Sequence, residues 1–72
     1  MHYEIEVKFD DVCASVSDRV RYFGIMDKYK ATGIGHEKKG TSTLFIDSEK
    51  PLNLEQIAAE FGDIKILSVH KN

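Results

Sequence analysis

The chain has 72 residues, of which 42% are hydrophobic and 31% are charged, and its formal net charge is −2. A chain of this length supplies one hydrophobic core, so we expect a single domain covering residues 1–72. The composition excludes a disordered or fibrous protein, and no apolar run approaches the roughly 20 residues that span a bilayer. We therefore expect a cytoplasmic protein with no membrane partner.

The charges are segregated along the chain. Residues 19–39 carry six basic and two acidic side chains, a net charge of +4, which leaves −6 for the remainder. Such segregation either has no role or marks a docking surface for an acidic partner. The single cysteine, Cys13, excludes an internal disulfide. Packing must then hold the domain together, and self-association into a homodimer would add to its stability.

In the first third of the chain, apolar and polar residues first alternate and then follow a helical spacing. Period-two alternation from His2 to Phe9 predicts a half-buried strand. Asp10 and Asp11 follow it as helix caps. An amphipathic helix is predicted next, and Gly24 is placed to end it. The buried stripe of this helix is predicted to be Val12, Val16, Val20 and Phe23.

The remaining elements are a hairpin, a second helix and a last strand. The chain is predicted to be extended from Ile25 to Glu37, to turn at "EKKG", and to return as the strand "TSTLFIDS". Asn53 and Gln56 form a capping box for a helix that Gly62 ends. Its predicted buried stripe is Leu54, Ile57, Ala58 and Phe61. "DIKILSVH", residues 63–70, is predicted to be the last strand.

The predicted order is strand, helix, strand, strand, helix, strand. Two split strand–helix–strand halves fit an α+β, ferredoxin-like sandwich, in which two helices cover one face of a four-stranded antiparallel sheet.

Two stretches, "DDVCASVSDRV" and "EKKGTSTLFIDSEKPLNLEQIAAEFG", resemble the heavy-metal-associated domains of copper chaperones and metal-pumping ATPases. The resemblance implies the same fold and places Cys13 at the first metal-binding cysteine. The second metal-binding position, three residues later, holds Val16. Two-coordinate Cu(I) needs two thiolates. We therefore expect no bound metal or other cofactor, and Cys13 to pack as a small apolar residue unless a partner supplies a thiol.

Neither catalysis nor nucleic-acid binding is indicated. The chain lacks a combination of nucleophile, base and orienting group in a plausible context, so we expect no enzyme. RNA-binding versions of this sheet carry aromatic side chains on the open face, where the first strand here places Glu4 and Glu6.

A non-catalytic protein-binding or regulatory module is the leading interpretation. If Leu44 and Ile46 face the helices, the open face gains an apolar patch, and exposed apolar patches mark interfaces. We expect this patch to consist of Phe45, Leu67 and Val69. The second strand, with Lys28 and Lys30, is an alternative docking edge.

Two other functions are kept as alternatives. One is heavy-metal binding or chaperoning of the Cu(I) type through Cys13. The other is an acidic inhibitor or decoy of a basic protein, which would use Glu4, Glu6, Asp10 and Asp11.

Overall fold

The computed structural model describes all residues, 1–72. Four strands form one antiparallel sheet in the order β2-β3-β1-β4, and three helices accompany it. The chain is therefore α+β, as the sequence predicted. In chain order the elements are β1 (His2–Lys8), α1 (Phe9–Val12), α2 (Val16–Tyr29), β2 (Thr32–His36), a 3₁₀ turn (Glu37–Lys39), β3 (Thr41–Asp47), α3 (Leu54–Phe61) and β4 (Ile66–Lys71).

The core lies between one face of the sheet and the two longer helices. β1 alternates as predicted, with Tyr3, Ile5 and Val7 buried on the helix side. Phe9 departs from the prediction, because it begins α1 and is exposed. The eleven buried apolar side chains of the core are Tyr3, Ile5, Val7, Val12, Tyr22, Ile25, Leu44, Ile46, Ile57, Phe61 and Ile64.

Helix α2 is longer than the sequence predicted. It runs through Gly24 to Tyr29 and ends where Lys30 adopts a left-handed conformation with φ of 52°. The extended segment predicted from Ile25 is therefore wrong up to residue 29, and β2 begins only at Thr32. Continuing the helix buries Ile25 in the core. Apolar burial offsets the modest cost of one helical glycine.

The buried face of α2 also differs from the prediction. Asp18, Tyr22 and Ile25 are buried, whereas Val16 and Val20 are each 66% exposed and Phe23 is 61% exposed. Both sets have helical spacing, so periodicity alone did not choose between them. The structure buries the face that carries Tyr22, whose ring lies against Phe61 with the centroids 6.5 Å apart.

The turn between β2 and β3 confirms the predicted hairpin. The 3₁₀ turn is followed by Gly40, whose φ of 65° is a left-handed conformation that favours glycine. In β3, Leu44 and Ile46 face the core as expected. The hairpin places β2 at one edge of the sheet.

Helix α3 begins as the capping pattern predicted. The Asn53 side chain accepts a hydrogen bond from the backbone N–H of Gln56 at 3.1 Å. Ile57 and Phe61 are buried, but Leu54 and Ala58, which we expected on the same stripe, are exposed. The helix has only two full turns, so its buried stripe is narrow.

The last strand occupies Ile66–Lys71 and not residues 63–70. It pairs with β1, and the register shifts between Glu6 and Val7. This irregularity reverses the predicted side of Val69, which lies opposite Ile5 and packs against the core. None of the helices is long and apolar enough to cross a membrane.

Candidate functional site

The structure does not assemble the apolar patch that we predicted on the open face of the sheet. Phe45 is half-buried there, opposite Glu4 and Thr32 on the neighbouring strands. Val69 packs on the opposite side of the sheet, so its predicted outward position is wrong. Leu67 is exposed, close to the register irregularity. A small depression of about 200 Å³ remains on this face, and polar side chains dominate its lining.

The two lysines of the predicted docking edge lie on α2 and at its end. Lys28 is in the last turn of α2, and Lys30 caps the helix. Their predicted position on an edge strand is therefore wrong. The Lys28 Nζ donates to Glu60 Oε1 of α3 at 2.7 Å, and the Tyr29 hydroxyl donates to the same oxygen at 3.0 Å. Lys28 thus joins the two helices.

The link between α2 and α3 predicts a specific pH dependence. The hydrogen bond from Lys28 holds the pKa of Glu60 below its ordinary value of 4.5, and the bonds from Tyr29 and Gln56 act in the same direction. A carboxyl whose pKa is depressed on folding stabilises the protein above its unfolded pKa. That contribution disappears as the pH falls through the folded pKa.

We therefore expect Glu60→Gln to lower stability at pH 7 and to match the wild type at acid pH. Urea unfolding between pH 2 and pH 7 measures the difference, and Glu49→Gln, an exposed loop residue, is the matched control. If Glu60→Gln is less stable than the wild type by the same amount at every pH in this range, the charge on Glu60 does not stabilise the fold.

The acidic residues of the decoy interpretation are divided between separate surfaces. Glu4 and Glu6 lie in the depression on the open face. Asp11 accepts a hydrogen bond from the backbone N–H of Lys65 at 3.0 Å. Asp10 lies in the first turn of α1, beside the β2–β3 turn. The structure therefore does not gather these four carboxylates into one acidic patch.

The edge strand β2 is the most exposed part of the sheet. It pairs only with β3, and all five of its residues are exposed. Every second N–H and C=O of an edge strand points away from the sheet, where a further strand can pair with it. The β2 backbone therefore offers hydrogen bonds to an added strand.

A cleft separates β2 from α2. The side of β2 that faces the helix carries Gly33 and Gly35, which lie opposite Leu44 and Ser42 of β3. A Cβ atom at Gly33 would lie 3.1 Å from Met26 Cε, whereas one at Gly35 would meet nothing within 4 Å. The chain approaches α2 closely at Gly33 and leaves open space at Gly35.

The part of this cleft beside Gly33 and Gly35 is apolar. It has a volume of about 300 Å³, and six of its ten lining residues are hydrophobic. We call it the apolar part, and Phe9, Phe23 and Met26 are its large side chains. Below them, the Tyr22 and Ser42 hydroxyls form a hydrogen bond of 2.7 Å. Burial raises the pKa of Tyr22, so the hydroxyl stays neutral near pH 7.

The exposed stripe of α2 adjoins the apolar part. Val16, Val20 and Phe23 lie within about 60° on the helix surface, since successive residues are about 100° apart. Phe23 belongs to both the stripe and the apolar part. The stripe that we predicted to be buried is thus an exposed apolar surface that extends outwards from the cleft. Continuous apolar surface of this kind marks interaction sites.

The cleft continues past Gly35 into a polar part of about 390 Å³, which shares Phe9 and Gly35 with the apolar part. Its polar side chains are Asp10, His36, Glu37 and Thr41. Thr41 is only 7% exposed, and its hydroxyl is the one buried side-chain polar atom without a hydrogen-bond partner. We call the two parts together the β2 cleft.

The charged side chains of the β2 cleft have no partners within the chain. The three ion pairs of the protein are His2 with Asp47, Arg21 with Asp18, and Lys28 with Glu60. Arg19 lines the apolar part, and Asp10 and Glu37 line the polar part, and none of them belongs to a pair. These charges are therefore available to a ligand.

Cys13 lies at the mouth of the same cleft. The residue is exposed and lines the apolar part, so the expected buried packing of this thiol is wrong. Val16 stands three residues further on, at the start of α2. No group of three or more His, Cys, Asp or Glu side chains is placed to hold a metal ion. Metal binding through Cys13 and a partner's thiol stays a prediction.

Two features of the sequence indicate this cleft, and neither entered the predictions. Gly33 and Gly35 alternate within "TGIGH", and two glycines at that spacing remove every side chain from one side of a strand. Ser15 and Asp18 form a cap, in which the Ser15 Oγ accepts from the Asp18 N–H at 3.0 Å. That pattern fixes the start of α2 at Val16.

Comparison of the chain with family models, with curated proteins and with solved structures finds no match.

Proposed function

We propose that this protein is a non-catalytic binding module, which docks an extended segment of a partner protein along β2. The observation that carries the proposal is the β2 cleft, where an unpaired strand edge runs beside an apolar groove. Added strands gain affinity from backbone hydrogen bonds and specificity from alternate side chains that enter pockets. The protein provides both at one place, since α2 forms the opposite wall of the cleft.

We also infer that the fold belongs to the ferredoxin-like class. The order β2-β3-β1-β4 and the strand and helix sequence support this class. In this arrangement the helix between the first two strands passes over the sheet and leaves the second strand at an edge. The docking edge is then a direct consequence of the topology.

The test uses two glycines that both face open space. A Cβ atom meets nothing within 4 Å at Gly35, in the cleft, or at Gly24, on the exposed side of α2. Gly35→Leu fills the cleft without an internal clash, and Gly24→Leu adds the same side chain elsewhere. The probe is a displayed library of random nonapeptides, selected on the immobilised wild-type protein.

We expect the wild type to enrich a family of peptides, Gly24→Leu to bind them equally, and Gly35→Leu to bind them at least tenfold more weakly. Equal binding by wild type and Gly35→Leu would overturn the proposal. Phe45→Ala tests the open face in the same assay. Loss of binding in Phe45→Ala with retention in Gly35→Leu would place the docking surface on that face instead.

A further inference from the structure

We propose that two copies of this protein associate through the outer face of α2, with the two helices antiparallel. This interface is separate from the β2 edge and goes beyond the proposed function. Three features of α2 support it: an apolar seam that faces solvent, two charged side chains without partners, and the positions of these charges along the helix.

The three most exposed large hydrophobic residues of the protein lie on one side of α2. Val16, Val20 and Phe23 are 61–66% exposed, whereas no other large hydrophobic residue exceeds 48%. Together with Asp27 they are spaced by four, three and four residues, so all four lie within about 60° of the helix surface. That side is opposite the buried face of the helix. We call these four residues the α2 seam.

The spacing of the α2 seam is typical of helices that pair along their length. Apolar residues that recur at alternating steps of three and four form the contact between paired helices, because each side chain fits between those of the other helix. Exposed apolar surface of this kind marks interaction sites. A domain of roughly 70 residues buries little apolar surface on its own, and association with a second copy buries more.

Two charged side chains of α2 have no partner within one copy. Arg19 and Asp27 are exposed, and neither forms an ion pair. Arg19 lies in the first turn of the helix and Asp27 in the last. Both positions are unfavourable in a single helix, because the helix dipole is positive at the N-terminus and negative at the C-terminus. A neighbouring molecule can therefore satisfy these charges better than their own helix does.

An antiparallel second copy satisfies both charges at once. The seams are in register when Val20 of each copy packs beside Phe23 of the other. Asp27 then lies opposite Val16 of the second helix, about one turn from its Arg19. Side chains lean towards the N-terminus of their helix, so in antiparallel helices Asp27 and Arg19 lean towards each other across the contact. Two-fold symmetry gives two such pairs, and each Asp27 also meets the positive end of the other helix.

The same charges favour a second copy over other arrangements. A parallel pair of helices would place the two Asp27 side chains together at one end of the seam, where like charges repel. A helix of another protein would need an acidic and a basic residue in the matching order, and a second copy already has them. A two-fold interface uses one surface twice, so that surface must be complementary to itself. The α2 seam has this property.

The experiment reverses each charge separately and then mixes the two variants. A homodimer of Arg19→Glu has two acidic groups at each end of the contact, and a homodimer of Asp27→Arg has two basic groups there. In a 1:1 mixture, one copy of each variant gives two pairs of opposite sign. Lys39→Glu, the same reversal at an exposed position of the 3₁₀ turn, is the matched control. Thermal unfolding in dilute solution checks that each variant folds.

Sedimentation equilibrium between about 10 µM and about 1 mM measures association, since a contact of this size is weak. We expect the wild type and Lys39→Glu to dimerise in this range. Arg19→Glu and Asp27→Arg should each associate at least tenfold more weakly, and their mixture should recover the wild-type dissociation constant within about threefold. Gly35→Leu should associate like the wild type, because the β2 cleft is not part of this contact.

Three results would overturn this inference and leave docking on β2 intact. They are a wild type that stays monomeric, seam variants that associate as tightly as the wild type, and a mixture that associates no better than its components. Weakened association in Gly35→Leu would also overturn it, because the contact would then lie at the β2 edge.

Discussion

We expect Phe61→Ala to lower the free energy of unfolding by about 3–5 kcal/mol, the range for large aromatic side chains removed from a core. Phe61 is completely buried and lies against the Tyr22 ring, with the centroids 6.5 Å apart. The total stability expected for a domain of this size is roughly 4–11 kcal/mol. The variant is therefore close to unfolding at 25 °C, and urea titration followed by circular dichroism measures the loss.

Phe23→Ala is the matched control for this prediction. Phe23 is 61% exposed on α2, so its truncation should change stability by no more than about 0.5 kcal/mol. The pair also tests which face of α2 is buried. A loss of stability in Phe23→Ala comparable with that in Phe61→Ala would show that the face of α2 carrying Phe23 is the buried one.

We expect the second large loss of stability when the hydrogen bond between Tyr22 and Ser42 is removed. Both residues are buried, and their oxygen atoms are 2.7 Å apart. Tyr22→Phe leaves the Ser42 hydroxyl without a partner, and Ser42→Ala does the same to Tyr22. Each variant should lose about 1–3 kcal/mol, the cost of one unsatisfied buried polar group.

The double variant Tyr22→Phe/Ser42→Ala separates the hydrogen bond from general packing. Removing both hydroxyls leaves no orphaned group, so the double variant should be more stable than the sum of the single losses predicts. Urea unfolding of the four proteins gives the coupling energy, which we expect to be about 0.5–3 kcal/mol. If the two single losses of stability add up to the loss in the double variant, the two hydroxyls do not stabilise the fold through their hydrogen bond.

The course of α2 shows what the sequence predicted and what it did not. Helical spacing correctly predicted a helix after the first strand. Two stripes of similar period competed for the core, and three-dimensional packing of Tyr22 against Phe61 and Ser42 decided between them. Gly24 suggested a stop, but a glycine ends a helix only where it takes a left-handed conformation, and here Lys30 does so.

The candidate site was harder to predict than the fold. Docking at the second strand was among the sequence-based expectations, and the hairpin correctly placed that strand beside β3. Its predicted anchors Lys28 and Lys30 fall on the helix because β2 starts later. A one-residue register shift beside Glu6 turned Val69 inwards, and strand alternation cannot foresee such a shift. The cleft depends on the distance between α2 and two glycines, which only the folded chain defines.

The claim that a segment docks on β2 is tested most directly by amide hydrogen exchange of the free protein and of its complex with the selected nonapeptide. An added strand protects the edge amides that point away from β3. We expect alternate amides within Thr32–His36 to exchange at least tenfold more slowly in the complex, while exchange in β4, the other edge, is unchanged. Unchanged exchange in β2 with new protection in β4 would contradict this claim.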